Sequence, residues 1–182
     1  MLNLPVLTQS TAPEQSQPLL KDVKTNFGFI PNLIAVMASS PTLTKTYLDI
    51  ADNFTHSGLS PTEQQIVLLT VSYYHKCNYC LAAHTIIAGM LKVNASVIEA
   101  IRQNKPITNK KLETLRIFTR QIVDSRGSLN EVDIDNFLQE GYSSSHILDI
   151  LVGIAQKTLS NYTNHIAKTP LDKEFSDVAI RL

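Results

Sequence analysis

The chain has no tryptophan, only two cysteines among 182 residues, and no excess of charge, since sixteen basic residues balance sixteen acidic ones. Each shortage removes a class of protein. Two cysteines cannot staple a small disulfide scaffold, and a neutral chain has no long-range field to draw in nucleic acid or an anionic membrane. The longest apolar run, "ILDILVGIA", falls well short of a membrane span and carries Asp149. The opening "MLNLPVLTQSTAPEQSQP" lacks a basic n-region and is interrupted by Pro5, Pro13 and Pro18, so it does not read as a signal peptide. A cytoplasmic address is therefore expected, with neither a nucleic-acid nor a membrane partner. In that reducing setting a lone CxxC pair is catalytic or metal-binding sooner than a structural staple.

Hydrophobic residues make up 43% of the chain and charged residues 18%, the balance of a globular protein. A chain of this length buries roughly 70% of its unfolded surface, which suits one domain over 1–182 with an irregular arm at 1–12. The patterning is helical almost throughout, and strand signals are nearly absent. Helices are expected from near Pro13 to Gly28, over 32–39, 41–57, 61 to about 75, then to about 91, 94–103, 109–125, 130–139 and 143–168. "SPTE" opens one of them with Ser60 as N-cap, Pro61 at the first helical position and Glu63 completing a capping box. The last helix is expected to bury one stripe of Ile147, Ile150, Leu151, Ile154 and Thr158. The fold class is all-α.

An internal repeat is also legible. Shifting the chain by 83 positions sets "DNFTHSGLS" over "DNFLQEGYS" and "CNYC" over "SNYT", with eight identities across residues 52–80. A helix–turn–helix duplication is the expectation, in which Ser160 and Thr163 stand where the first copy has its thiols.

Both cysteines and two of the five histidines lie in "HKCNYCLAAH". On a helix Cys77, Cys80 and His84 fall within an arc of roughly 60°, so all three can face one pocket. The three-residue spacing suits a reversible disulfide at a first helical turn, where free backbone N–H groups favour a thiolate. His84 can act on Cys80 as base or as cation. Which sulfur attacks stays open at this level: the helix start favours Cys77, and histidine proximity favours Cys80. Two structural cysteines, or a zinc site of Cys77, Cys80, His84 and His75, are the competing readings; four ligands crowded on one helical stretch give poor tetrahedral geometry. His75 and His165 are accessory candidates. His165, Asn161 and Asn164 are read as packing or interface residues, while His56 and His146 carry no functional signal. Tyr73, Tyr74, Phe27 and Phe29 are read as core or subunit contacts, some of them walling the dithiol pocket.

"LSPTEQQIVLLTVSYYHKCNYCLAAH" resembles the core motif of the carboxymuconolactone decarboxylase/alkylhydroperoxidase AhpD-like superfamily. "GFIPNLIAVMASSP" and "KTLSNYTNHIAKTPLD" resemble its peroxidase-related branch, so the likeness runs from about Gly28 to Asp172. It implies an all-helical AhpD-like bundle and a homo-oligomer, trimer or hexamer. It also implies a hydroperoxide substrate met by Cys80, resolved by Cys77 and assisted by His84, with no cofactor or metal. The reductant would be a dithiol of lipoyl or thioredoxin type. Two positions depart from the pattern. Gln65 stands where the relay glutamate is expected, and Tyr79 replaces a histidine. Glu63, turned about 200° round the helix from Gln65, does not substitute. Thiolate formation would then rest on His84 and the helix terminus, and weak peroxidase activity is expected. A non-catalytic or redox-sensing oligomeric stress protein is the alternative. A decarboxylase is suggested by the superfamily name alone, since that chemistry needs no dithiol.

Overall fold

The computed structural model describes residues 4–180 and 182. Among them there is no strand. Nine α-helices follow in order: α1 Gln17–Phe27, α2 Asn32–Met37, α3 Pro41–Thr55, α4 Pro61–Tyr74, α5 Asn78–Met90, α6 Ala95–Arg102, α7 Lys110–Ser125, α8 Glu131–Gln139 and α9 Ser144–Ala167. Short 3₁₀ turns precede α1 and lie at Lys173–Val178. Within the described part of the arm, Leu7 donates its N–H to the Ala35 carbonyl, tying the segment to α2.

Local chemistry sets these boundaries. Glu63 Oε2 accepts the Ser60 N–H at 2.9 Å while Ser60 Oγ accepts from the Glu63 N–H, which closes the expected capping box. Asn94, Asn109 and Asn130 cap α6, α7 and α8 with their side-chain oxygens. Such caps are each worth about 1 kcal/mol. Gly28 ends α1 at φ 82°, a left-handed conformation that costs glycine nothing.

Helix α4 is the axis of the molecule. Every residue from Gln64 to Ser72 is buried, with α5, α6, α7 and α9 packed round it. Its apolar faces are therefore satisfied within one chain. Two apolar clusters result. The larger is built on Phe54, Ile66, Leu69, Leu115 and Ile150, with the stacked rings Phe118, Phe137 and Tyr142. The smaller joins Leu20, Leu33, Met37, Tyr47 and Phe175 to both cysteines.

Helix α9 departs from the expected stripe. Ile150 is fully buried, but Leu151 is 43% exposed, because one residue turns it about 100° away from the core. The buried face runs instead through Ile150, Gly153, Gln156, Lys157, Ser160, Asn161 and Asn164, so it becomes polar towards its C-terminal half. Gly153 marks the closest approach. A Cβ there would lie 2.7 Å from Phe54 Cζ and 2.8 Å from Val67 Cγ1. Gly153→Ala is accordingly expected to destabilise the fold by about 1–3 kcal/mol through overpacking, read as a lowered thermal midpoint. An unchanged or raised midpoint would show that α9 can withdraw freely.

Candidate active site

The junction between α4 and α5 places the dithiol. His75 caps α4, Lys76 turns the chain in the left-handed region at φ 56°, and the Cys77 N–H returns to the Ser72 carbonyl at 2.9 Å. Cys77 becomes the N-cap of α5, and Cys80 falls in its first turn. Both are free thiols and both are buried. Unpaired N–H groups and the positive end of the helix dipole thus lie beside Cys80.

The polar face of α9 covers the sulfurs. Asn164 Nδ2 donates to Cys80 Sγ at 3.2 Å and reaches Cys77 Sγ at 3.7 Å. Ser160 Oγ lies 3.7 Å from Cys80 Sγ. Asn164 is therefore a sulfur contact and not merely a packing residue, which corrects the sequence reading. One turn earlier on the same face, Lys157 is 0% exposed, and its Nζ has no hydrogen-bond partner among the described residues.

The two thiols differ in acidity. A hydrogen bond from Cys77 to the Cys80 sulfur, reinforced by burial, pushes the Cys77 thiol far up. For Cys80, burial acts upwards, yet the Cys77 hydrogen bond, the Lys157 charge and the Ser160 hydroxyl outweigh it and hold the thiol well below 9.0. Electrostatic support for a thiolate therefore comes from α9 as well as from the helix terminus. The sequence pattern points only to His84 and the terminus.

His84 is buried, with its Nδ1 3.0 Å from Gln65 Oε1. The amide oxygen accepts the Nδ1 hydrogen, which leaves Nε2 unprotonated on a neutral ring. Burial, followed by the Lys157 charge, pushes this histidine well below 6.5. Gln65 thus meets the histidine ring as an uncharged amide. Tyr79 has a structural task. Its hydroxyl donates to the Asp172 carboxylate and accepts the Leu33 N–H at 3.1 Å, tying α5 to α2 and to the C-terminal segment. Burial and the Asp172 bond raise its pKa, so it does not serve as a base.

The accessory histidines stand apart. His75 Nδ1 lies 3.0 Å from Asn161 Oδ1, and its ring packs between Tyr74 and Tyr162. His165 is exposed on α9 and touches neither sulfur. Among the described residues no three His, Cys, Asp or Glu side chains converge to hold a metal ion.

A cavity of about 150 Å³ opens beside this constellation. Cys80, His84, Tyr79, Gln156 and Lys157 form its polar wall, and Val23, Ile34, Leu48, Ile87 and Phe175 are among its apolar residues. Phe27 also borders it, as expected for one of the aromatic residues, whereas Tyr74 instead bonds Asp124. Cys77 does not line the cavity, so a molecule entering meets Cys80 first. The space is that of a benzene-sized ring, since cavities of roughly 150 Å³ accept such a guest. Sequence reasoning missed Lys157, Ser160 and Asn164 as site residues. A signal was available: with Asn161 they recur at helical spacing in "KTLSNYTN", as a polar stripe on a helix that begins with an apolar one.

The architecture is that of an all-helical protein with a buried dithiol beside an apolar cavity, the AhpD-like fold. Residues 41–109 match the model of the carboxymuconolactone decarboxylase family. A search of the curated proteins finds no match. Among solved structures, a peroxidase-related protein of Ralstonia eutropha JMP134 with an alkylhydroperoxidase AhpD core is similar at a TM-score of 0.84. It is 21% identical, over 94% of this chain and 92% of that one. A peroxidase-related protein of Silicibacter sp. TM1040 gives 0.80 at 19% identity, over 96% and 92% of the two chains. The debrominase Bmp8, solved as a cysteine-to-alanine form with 2,3,4-tribromopyrrole, gives 0.79 at 20% identity over 97% and 95%. Residues 41–109 thus carry the sequence pattern of that family, and the chain as a whole shares the all-helical fold of these solved structures.

Proposed function

We propose that the protein is a thiol-dependent peroxidase that reduces small organic hydroperoxides with its Cys77–Cys80 pair. The observation that carries this reading is the pairing of an acidified Cys80 on the wall of an apolar cavity with a protonated Cys77 behind it. The Cys80 thiolate attacks the terminal peroxide oxygen, so an S–O bond forms, the O–O bond breaks and the alcohol leaves after taking a proton. Cys80 is then a sulfenic acid. The Cys77 sulfur attacks it, forming the disulfide and releasing water with the Cys77 proton. A dithiol of lipoyl or thioredoxin type returns the pair to its reduced state. Anaerobic titration of the reduced protein with cumene hydroperoxide tests the proposal. One equivalent per chain should consume both thiols and leave an intramolecular disulfide. Thiols that survive excess hydroperoxide would refute it. Stoichiometric oxidation without turnover under any dithiol reductant would favour the redox-sensing alternative.

A second reading is thiol-dependent reductive dehalogenation of a small aromatic ring. It is favoured by the apolar, ring-sized cavity and by the likeness to a debrominase. Cys80 would take the halogen from carbon, the ring carbon would take a proton, and Cys77 would displace halide to give the same disulfide. Bromide release from 2,3,4-tribromopyrrole, measured against hydroperoxide consumption, separates the two.

We also propose assembly as a homo-oligomer, trimer or hexamer, through α9. Leu148, Leu151, Tyr162 and Ile166 are exposed within one arc of that helix. Sedimentation at micromolar concentration should give a multiple of 20.2 kDa. Leu151→Glu should shift it towards the monomer, and a wild-type monomer would overturn the assignment.

A further inference from the structure

Lys157 is a lysine in a place that ordinarily rejects one. It is fully buried, and it belongs to none of the ion pairs among the described residues. Withdrawing an ammonium from water costs several kcal/mol unless an anion meets it. The carboxylate of Asp172 is already taken by the Tyr79 hydroxyl and the Asn32 N–H. Lys157 shares the cavity wall with Cys80, and it stands one helical turn before Ser160 and two before Asn164, both of which contact the Cys80 sulfur.

We propose that Lys157 is the counter-ion of the Cys80 thiolate, a buried cation that this chain carries on α9 to hold the attacking sulfur ionised in a dry pocket. The proposal deepens the peroxidase reading, because it takes Cys80 as the nucleophile. It also explains how the site dispenses with a relay carboxylate. Where a general base would remove the thiol proton at each turnover, a fixed positive charge keeps the proton off beforehand. Lys157 acts through the sulfur and is a positioning residue. The other titratable groups around its charge are Tyr47 on α3, His75 at the end of α4, and Cys77 and His84 on α5. Of these, only the thiols and Tyr47 have an anionic form. Burial raises Tyr47, and the hydrogen bond to Cys80 raises Cys77, which leaves Cys80 as the anion.

The test is a titration of the reduced protein by ultraviolet thiolate absorbance, with Cys80→Ser as the blank, in wild type and Lys157→Met. The expected result is a thiolate in wild type at about pH 7 that Lys157→Met loses. The midpoint should rise by at least about one unit, with at least a tenfold slower alkylation of Cys80 by a small uncharged thiol reagent. The Lys157→Met thermal midpoint should hold or rise, because an apolar side chain of similar volume replaces a buried charge. A folded Lys157→Met with an unchanged thiol titration overturns the proposal and makes Lys157 structural. Should that variant fail to fold, Cys80→Asp and Cys80→Asn are compared in the Lys157 background. A counter-ion gives the aspartate form the higher thermal midpoint at about pH 7, and an equal or lower one overturns the proposal. None of these readouts uses a peroxide. A thiolate lost in Lys157→Met together with no hydroperoxide consumption in wild type would uphold the counter-ion and remove the peroxidase.

Discussion

Cys80→Ser is expected to abolish hydroperoxide consumption, and Cys77→Ser to consume one equivalent and stop with a sulfenic acid on Cys80. The two thiols occupy unequal environments, which is why the outcomes should differ. Cys80 borders the cavity and accepts the Asn164 amide and the Cys77 hydrogen bond, while Cys77 keeps its proton and stands behind it. Without Cys80 the remaining thiol has neither the acidity nor the access to attack, and a loss of at least about 10³ in rate is expected, or ~4 kcal/mol in the barrier. Without Cys77 the first step survives, and the oxidised sulfur lacks the neighbour that would condense with it. Labelling with a sulfenate-reactive probe followed by peptide mass spectrometry decides the matter. Label on Cys77 in Cys80→Ser, and none on Cys80 in Cys77→Ser, would reverse the roles.

Gln65→Glu is expected to raise the rate of peroxide-dependent Cys80 oxidation by at least about tenfold, or ~1.4 kcal/mol in the barrier. The amide oxygen already accepts the His84 Nδ1 hydrogen at 3.0 Å, so a carboxylate would take over an existing contact without rebuilding the helix. Its effect would be electrostatic. His84 is held well below 6.5 by burial and by the Lys157 charge, which keeps its protonated form scarce at neutral pH. A negative group on Nδ1 favours the protonated ring, and a protonated Nε2 can donate to the alkoxide that leaves when the O–O bond breaks. The gain should be largest near neutral pH and fade as the pH rises through the new His84 pKa, because the proton to be donated is then lost. Stopped-flow rates for both proteins over about pH 6 to 9 measure this. Equal rates throughout would favour the non-catalytic reading, in which no pocket is built to use the proton.

The two segments that an 83-position shift brings into register share some features of structure. Ser60 and Ser143, brought together by that shift, are both N-caps of long helices, and Phe54 and Phe137 are both buried. The two segments diverge where chemistry enters. Helix α4 stops at Tyr74 so that Lys76 can turn the chain and start α5 at the dithiol, whereas α9 runs unbroken through the equivalent stretch to Ala167. The uninterrupted helix is what brings Lys157, Ser160 and Asn164 across the sulfurs.

Local chemistry by itself determined the helices, the capping box at Ser60, the break at His75 and Lys76, and the shared face of Cys80 and His84, whereas Cys77, as the N-cap, falls outside the pocket that the spacing predicts for all three. Each depends on neighbours three or four residues away, and such spacing is written directly in the sequence. The contacts of Gln65 with His84 and of Asn164 with Cys80 span 19 and 84 positions, and Lys157 joins the Cys80 cavity wall from 77 positions away. No local periodicity records which face of α9 meets which turn of α5. The tertiary structure alone decided that the polar stripe of α9 faces inward, where the Asn164 amide and the Ser160 hydroxyl meet buried sulfur in place of water. It also decided which cysteine is acidic: both lie at one helix start, and the difference between them comes from the groups packed on each from across the bundle.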